Sequence, residues 1–366
     1  MRFFLLEGGV AYTLPGMDLT VAVIVFFAGL AAAFAASLLA LKVLSRRGLI
    51  DHPVERSSHT KPTPSGGGIA VIAVVVVAWG LIAVLSHAKT TMVPMVPIVT
   101  EEFWLLLAGG VFLAVISFTD DLKDLSPPLR LATQAAAVAA VLYATADRGL
   151  FFAGILPPML DKIAAGVLWL WFINLFNFMD GIDGMASVET AAIGIGVFLV
   201  ALVAGGDDNA GLFGLSLAAA ALGFLYWNWQ PAKIFLGDAG SVPIGFFSGW
   251  LLLTLAAKGF PAAALILPLY FLADATITLA RRGLRGEKVW TPHRRHFYQA
   301  AVKRGESHAR VAASVAMANV FLVALAVLAA SGQRWPALIG ALVVVMVLLA
   351  RLGGWNIKKT SGRRSP

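Results

Sequence analysis

Long apolar runs separated by short polar segments dominate the chain. A membrane-spanning helix needs about 20 mostly apolar residues, and eleven segments approach that length. They lie at approximately 18–43, 67–86, 102–118, 128–146, 163–179, 184–205, 209–229, 241–257, 261–280, 310–330 and 335–352. None of the polar connections is long enough for a separate soluble domain. The pattern predicts an all-α polytopic membrane protein with about 11 transmembrane helices, in which residues 1–366 form one transmembrane domain.

The composition narrows the class of protein further. Hydrophobic residues make up 59% of the chain and charged residues only 13%, and the mean hydropathy is +0.83. These values exclude an ordinary soluble enzyme. The chain has no cysteine, which excludes disulfides, thiolate metal sites and cysteine nucleophiles.

The basic residues predict an orientation. If the N-terminus lies outside, 22 of the 28 Lys and Arg residues fall in segments on the cytoplasmic side. Positive residues near the spans favour the cytoplasm, so we predict an outside N-terminus and a cytoplasmic C-terminus. The net charge of +8 also favours anionic lipid headgroups and phosphates as partners.

Under this orientation, the polar segments that carry acids and histidines share the cytoplasmic face. They are residues 44–67, 119–128, 177–184, 230–241 and 281–309. An ionised Asp at the centre of a membrane helix costs about 2.5–3.5 kcal/mol on insertion scales, so such residues usually serve a site. The shared face predicts one composite site built from these five segments.

Two adjacent carboxylates, Asp120 and Asp121, end the third predicted span. Such neighbours repel each other unless a cation or a proton lies between them. They are interpreted either as a base or metal-proximal pair, or as a solvated helix end. Arg130, nine residues after Asp121, is placed to hold a phosphate.

Asn174, Asn177, Asp180 and Asp183 follow one another at intervals of three residues. This spacing places neighbours on one helical face. Carboxamide and carboxylate oxygens suit Mg²⁺, whereas the alternative is hydrogen bonding between helices. Four such residues in ten positions favour a functional site.

Asp238 lies between two glycines in the segment from Lys233 to Ser241. Glycines permit a tight turn that can direct N–H groups at phosphate, and Asp238 can hold the metal that the phosphates share. The alternative is an ordinary interfacial turn. Phe235 is interpreted as a stacking platform for a base or as a core residue.

Two further segments carry basic or small polar residues. His293-Arg294-Arg295-His296 suits pyrophosphate, although a positive-inside loop would account for the arginines alone. The stretch 56–68, rich in Ser, Pro and Gly, is interpreted as a lid or phosphate-facing loop anchored by Lys61, or as a flexible linker.

As a set, these motifs resemble the polyprenyl-phosphate N-acetylhexosamine-1-phosphate transferase superfamily, glycosyltransferase family 4, which includes the MraY-type and WecA-type enzymes. The resemblance rests on S-H-x-x-P-T-P-x-G-G-G, D-D, N-x-x-N-x-x-D-G-x-D-G, G-D-x-G-S and the H-x-x-H loop, in that order. It implies transfer of a sugar 1-phosphate from a UDP-N-acetylhexosamine to undecaprenyl phosphate, with release of UMP. It also implies a bacterial inner membrane location, a cytoplasmic active site and Mg²⁺, for which Mn²⁺ can substitute.

The resemblance also assigns roles to residues. It implies Mg²⁺ ligands at Asn177 and Asp238, and catalytic groups at Asp120, Asp121 and Asp180. Nucleotide contacts would come from Asp183, Phe235 and Asn174, with Asp183 on uracil and Phe235 stacked on it. Phosphate contacts would come from Lys61, Arg130, His293, Arg294, Arg295 and His296.

The arginines between His293 and His296 depart from the histidine run of MraY-type enzymes and the histidine cluster of WecA-type ones. The variant resembles enzymes that start O-antigen-type glycans with N-acetylglucosamine or a 6-deoxy N-acetylhexosamine. The alternatives are a phospho-N-acetylmuramoyl-pentapeptide transferase and a secondary transporter, although a transporter would place its acids near the bilayer midplane. A homodimer is compatible with the sequence, and nucleic acid is not expected as a partner. Direct attack by the lipid phosphate and a phospho-enzyme route both stay open, with direct attack favoured.

Overall fold

The computed structural model describes residues 19–53, 61–87, 101–145, 150–152, 154–204, 208–288 and 293–354. Parts of two predicted site segments, 54–60 and 289–292, therefore lie outside the described residues. All the individual site residues predicted from the sequence lie within them.

The described residues form helices joined by short connections and one two-stranded ribbon. In chain order they are α1 (Leu19–Arg47), β1 (Ile50–Asp51), β2 (Thr63–Pro64), α2 (Gly68–His87), α3 (Glu101–Lys123), α4 (Pro127–Ala144), α5 (Pro158–Met179), α6 (Met185–Ala204), α7 (Asp208–Asn228), α8 (Asp238–Ala257), α9 (Pro261–Ile266), α10 (Leu269–Leu284), α11 (Phe297–Lys303), α12 (His308–Ala330) and α13 (Arg334–Gly353). The ribbon is antiparallel, with Ile50 opposite Pro64.

The prediction of an all-α, multi-pass membrane protein is confirmed. Over the described residues, nine helices are long and apolar enough to cross a membrane: α1, α2, α3, α5, α6, α7, α8, α12 and α13. The predicted span 128–146 corresponds to α4, which is not among the nine. The total of eleven and the orientation stay predictions.

The predicted span 261–280 is divided into two helices. It forms α9 and α10, with the break at Leu267 and Pro268. Proline lacks the backbone N–H that a continuous helix needs, so Pro268 accounts for the break. Hydropathy alone does not register it, because both halves are apolar.

The spans are arranged around α6, α7 and α8. In these three helices, 72%, 78% and 83% of the residues in the apolar stretch are buried inside the protein, against 17% in α1. Close approach needs small residues at helix contacts, and a Cβ on Gly194 of α6 would lie 2.3 Å from the carbonyl oxygen of Gly214 in α7. The central helices thus form the core, and α1 presents most of its surface outward.

A glycine contact seats the segment before α2 against the start of α8. Gly67 N and Gly68 N donate to the carbonyl oxygens of Phe235 and Leu236, at 2.9 and 2.8 Å. A Cβ on Gly68 would lie 2.1 Å from Gly240 Cα. Gly68 is therefore required for backbone-to-backbone packing.

A buried acid links α6 to α12 inside the bundle. Glu189 is fully buried, and its Oε2 accepts a hydrogen bond of 2.8 Å from Asn319 Nδ2. The other two oxygens of the pair, Glu189 Oε1 and Asn319 Oδ1, are buried with no hydrogen-bond partner. A proton on Oε1 that is donated to Oδ1 would satisfy both atoms, as in a paired acid and amide.

We therefore expect Glu189→Gln to keep the thermal stability of the parent protein, because its amide supplies the same donor and acceptor. Glu189→Ala should lose about 1–3 kcal/mol of unfolding free energy by leaving Asn319 unsatisfied. Thermal unfolding in detergent measures both. If the Gln variant is as unstable as the Ala variant, Glu189 is ionised and the paired-acid interpretation is wrong.

Candidate active site

The start of α8 is the centre of the candidate site. Gly237 precedes the helix with a φ of 72°, a left-handed conformation that glycine adopts readily. The carboxylate of Asp121 accepts hydrogen bonds from Asp238 N at 3.1 Å and Ala239 N at 3.2 Å. An anion at a helix N-terminus is stabilised by the unpaired N–H groups there. Asp121 thus caps α8 and fixes the position of Asp238, the first residue of that helix.

The adjacent Asp120 has a different partner. It is buried, its Oδ1 accepts from Leu125 N at 2.7 Å, and its Oδ2 lies 2.7 Å from Arg130 Nε. Arg130 Nη1 lies 3.8 Å from Asp238 Oδ2. Arg130 therefore lies between the carboxylates of Asp120 and Asp238. Of the two adjacent acids, Asp120 binds Arg130 of α4, whereas Asp121 binds the start of α8.

Asn177, near the end of α5, joins the same group. Its Nδ2 donates to Asp238 Oδ1 at 2.8 Å and to Ser241 Oγ at 2.9 Å. Ser241 was not predicted as a site residue. The signal was available, because Ser241 follows Asp238 by three residues and so shares its helical face.

Asp180 follows the end of α5 and is half-buried. Burial, followed by the nearby carboxylates of Asp238 and Asp121, raises the pKa of Asp180 to about 8. The carboxyl groups of Asp121, Asp180 and Asp238 therefore lie close enough to act on one another. Within the described residues, no three His, Cys, Asp or Glu side chains are arranged as a metal site on their own.

Asp183 pairs with a histidine that sequence reasoning missed. Asp183 is buried, its Oδ1 lies 3.2 Å from His308 Nδ1, and its Oδ2 accepts from Ala232 N at 3.1 Å. The same turn is held by Asn228 Oδ1, which accepts from Gly184 N at 2.9 Å. No local sequence pattern pointed to His308, because its partner, Asp183, lies 125 residues away in the chain.

Asn174 is separate from the Asp238 group. Its Nδ2 donates to Gln134 Oε1 of α4 at 2.7 Å and to the carbonyl oxygen of Leu170 at 2.8 Å. This is the hydrogen bonding between helices that the spacing also allowed. The predicted stripe of four is thus divided, and the nucleotide role of Asn174 stays a prediction.

The H-R-R-H segment leads into α11. His296 is buried, with Nδ1 3.1 Å from Asp274 Oδ1, and the His293 ring stacks on it at 4.9 Å between centroids. Arg295 pairs with Glu287, and the hydrogen bonds from its guanidinium and from Arg282 lower the pKa of Glu287. Asp274 and Glu287 are further residues that sequence reasoning missed.

Arg294, Lys61 and Phe235 complete the predicted set. Arg294 and Phe235 are half-buried and Lys61 is exposed. The backbone connects two of these segments, because Phe235 N donates to the carbonyl oxygen of Pro64 at 2.8 Å. The phosphate role of Lys61 and the stacking role of Phe235 stay predictions.

Comparison with known proteins decides the family. The model of glycosyl transferase family 4 matches residues 103–256. Decaprenyl-phosphate N-acetylglucosaminephosphotransferase of Mycolicibacterium smegmatis is 30% identical over 305 residues, which cover 74% of this chain and 73% of that one. The chain belongs to glycosyl transferase family 4. The resemblance that the motifs suggested is confirmed.

Two further relatives extend over more of this family 4 chain. The probable undecaprenyl-phosphate N-acetylglucosaminyl 1-phosphate transferase of Bacillus subtilis is 27% identical over 327 residues, covering 86% of this chain and 87% of that one. The undecaprenyl-phosphate alpha-N-acetylglucosaminyl 1-phosphate transferase of Escherichia coli K12 is 28% identical over 341 residues, covering 87% and 86%. The family model includes the Asp238 group but not Lys61 or the segment 293–296.

Gly181 gives a steric test of the site. A Cβ there would lie 2.1 Å from Tyr298 Oη, but 3.1 Å from Cζ. We expect Gly181→Ala to lose about 1–3 kcal/mol of unfolding free energy through overpacking, and Gly181→Ala with Tyr298→Phe to recover most of it. Thermal unfolding measures this, with Gly80→Ala, where the new Cβ meets nothing within 4 Å, as control. Additive losses in the double variant would contradict the packing.

His293 gives a pH test. Burial, followed by the charges of His296, Arg282 and Arg295, lowers the pKa of His293 to about 4, although Glu287 opposes them. An unfolded histidine titrates near pH 6.5, so between about pH 6.5 and pH 4 the unfolded chain binds more protons. The free energy of unfolding should therefore decrease as the pH is lowered across that window.

The matched variant is His293→Gln, which has no such proton to bind. We expect the melting temperature of the parent protein to fall more steeply than that of the variant between about pH 7 and pH 5. Superimposable profiles would show that His293 titrates alike in both states.

Proposed function

We propose that this chain transfers an N-acetylhexosamine 1-phosphate from a UDP-linked sugar to undecaprenyl phosphate, releasing UMP. N-acetylglucosamine is the first candidate sugar, because all three relatives above are named for it. The observation that carries the proposal is the connected group of Asp120, Arg130, Asp238 and Asn177 at the ends of membrane helices. It joins one cation, two acids and a carboxamide in a single cluster.

The cluster fits Mg²⁺, for which Mn²⁺ can substitute. Mg²⁺ prefers oxygen ligands and is commonly held by one or two carboxylates together with substrate phosphates and water. Asp238 and the carboxamide oxygen of Asn177 would hold it, and Asp121 lies beside them, with its carboxylate hydrogen-bonded to Asp238 N. When bound, Mg²⁺ would neutralise charge on the pyrophosphate of the donor.

The contacts of Asp120 and Asp121 favour direct attack by the lipid phosphate. Both oxygens of Asp120 are engaged by Leu125 N and Arg130, and those of Asp121 by the first N–H groups of α8. A phosphate monoester has a second pKa near 6, so it is mostly dianionic at neutral pH and needs little help from a base. An oxygen of the lipid phosphate would bond to the β-phosphorus as the bond to UMP breaks.

In this mechanism the chief obstacle is repulsion between anions. Arg130 offsets it at the reacting phosphates, and the arginines of the 293–296 segment add positive charge. Asp120 then orients Arg130, and Asp121 sets the start of α8. The alternative, attack by an Asp to give a phospho-enzyme, would require Asp120 or Asp121 to leave these partners.

We further propose that the site faces the cytoplasm of a bacterial inner membrane and starts a cell-surface glycan of the O-antigen type. The distribution of Lys and Arg supports this orientation. The names of the relatives support N-acetylglucosamine over a muramoyl-pentapeptide donor.

The first test measures UMP released from undecaprenyl phosphate, Mg²⁺ and a panel of UDP-N-acetylhexosamines that includes UDP-N-acetylmuramoyl-pentapeptide. We expect release with N-acetylglucosamine or one close analogue. Asp238→Asn should reduce the rate by at least about 100-fold, because it removes a charged oxygen from the metal and phosphate site.

Asp124→Asn is the matched control. It removes one exposed negative charge close to Asp120, and its backbone φ of 49° suits asparagine. We expect nearly unchanged turnover. Full Mg²⁺-dependent activity in Asp238→Asn would remove Asp238 from the metal site, and no release with any sugar from folded protein would refute the proposed reaction.

A further inference from the structure

Asp274 of α10 is a buried acid that the proposed reaction does not use. Its side chain has no solvent exposure, and both of its carboxylate oxygens have hydrogen-bond partners within the protein. Oδ1 faces His296 Nδ1 at 3.1 Å, Phe297 N at 3.0 Å and Thr278 Oγ1 at 3.3 Å, and Oδ2 faces Tyr298 N and Tyr270 Oη at 3.3 and 3.2 Å.

These contacts fix the start of α11. Asp274 accepts from two consecutive backbone N–H groups, those of Phe297 and Tyr298. Hydrogen bonds to an ionised acceptor are about twice as strong as neutral ones. Because His296 is the residue before α11, the same carboxylate also sets where the segment 293–296 ends.

From α11, one side chain reaches the turn after α5. Tyr298 Oη donates to the carbonyl oxygen of Phe178 at 3.0 Å. Gly181 leaves the space that the Tyr298 ring occupies. Phe178 follows Asn177 directly and Gly181 follows Asp180, so Tyr298 supports the turn that carries both.

We propose that Asp274 is a positioning residue that joins the basic segment 293–296 and the turn 177–181 into one unit. The proposal rests on the proposed function, in which the first segment adds positive charge at the reacting phosphates and the second carries a metal ligand. Asp274 sets the distance between them through α11. It touches neither the substrate nor the reacting atoms.

The chain contains a matched control, Asp161 near the start of α5. Asp161 is also fully buried and accepts from two consecutive N–H groups, Phe151 N at 2.8 Å and Phe152 N at 2.9 Å. Asn177 lies sixteen positions further along α5, a distance of about 24 Å at about 1.5 Å per residue. Asp161→Asn therefore tests loss of the same interaction away from the site.

The experiment compares Asp274→Asn, Asp161→Asn and Tyr298→Phe in the full-length protein. In Asp274→Asn an amide N–H group replaces one acceptor oxygen and faces donors. We expect kcat/KM per folded molecule to fall about 10- to 100-fold, as for a small displacement of reacting groups. Asp161→Asn should stay within about twofold of the parent protein, and Tyr298→Phe should show a smaller loss than Asp274→Asn.

Hydrogen–deuterium exchange gives a readout that does not depend on turnover. In Asp274→Asn, the amides of residues 293–303 and of 178–183 should both exchange faster, and in Asp161→Asn neither should. Tyr298→Phe should loosen 178–183 while leaving 293–303 protected. This variant also keeps the test valid if Asp274→Asn does not fold.

The outcomes separate this proposal from the proposed function. If the parent protein releases no UMP, the proposed function fails, while the exchange data still test the link through Asp274. Faster exchange confined to 293–303, or kinetic losses equal in the two Asp→Asn variants, would overturn the positioning role. Unchanged exchange at 178–183 in Tyr298→Phe would overturn the link through α11.

Discussion

Charge compensation at the start of α8 is the interaction on which the site depends. Several carboxylates meet there in a chain that is mostly apolar, and each has its own means of stabilisation. Asp121 uses the N–H groups of the helix start, Asp120 uses Arg130, and Asp238 shares both Arg130 and the amide of Asn177. Because acids of like charge raise one another's free energy at short distance, this geometry holds only while those partners stay in place. The site thus couples the ends of α3, α4, α5 and α8.

Much of the fold could be predicted from hydropathy, because lipid requires spans to satisfy their own backbone groups as helices. The exceptions are local. The break at Pro268 divides an apolar segment without changing its hydropathy, and α4 contains polar residues, including Gln134 and Arg130, that serve its neighbours. The central position of α6, α7 and α8 was not predictable from apolar character, since buried and lipid-facing helices have similar compositions.

The candidate site could be predicted where its motifs are local in the sequence. Prediction failed where the interacting residues are far apart along the chain. The glycines around Asp238 and the spacing of Asn177 identified the centre. The stripe from Asn174 to Asp183 was expected to act as one surface, but the helix ends at Met179, so its members face different partners. His308, Asp274 and Glu287 stand alone in the sequence. Their roles follow from folding, which brings α10, α11 and α12 against the turn after α5.

The contact between Gly68 and Gly240 has a consequence for how this enzyme family can diversify. Where two main chains touch, any side chain on either would separate them, so this floor of the site admits almost no substitution. Substitutions are sterically tolerated only away from this contact, where a new side chain has space, as at Gly80. Under the proposed function, this contact would hold the backbone that carries Asp238 in place whatever changes elsewhere in the chain.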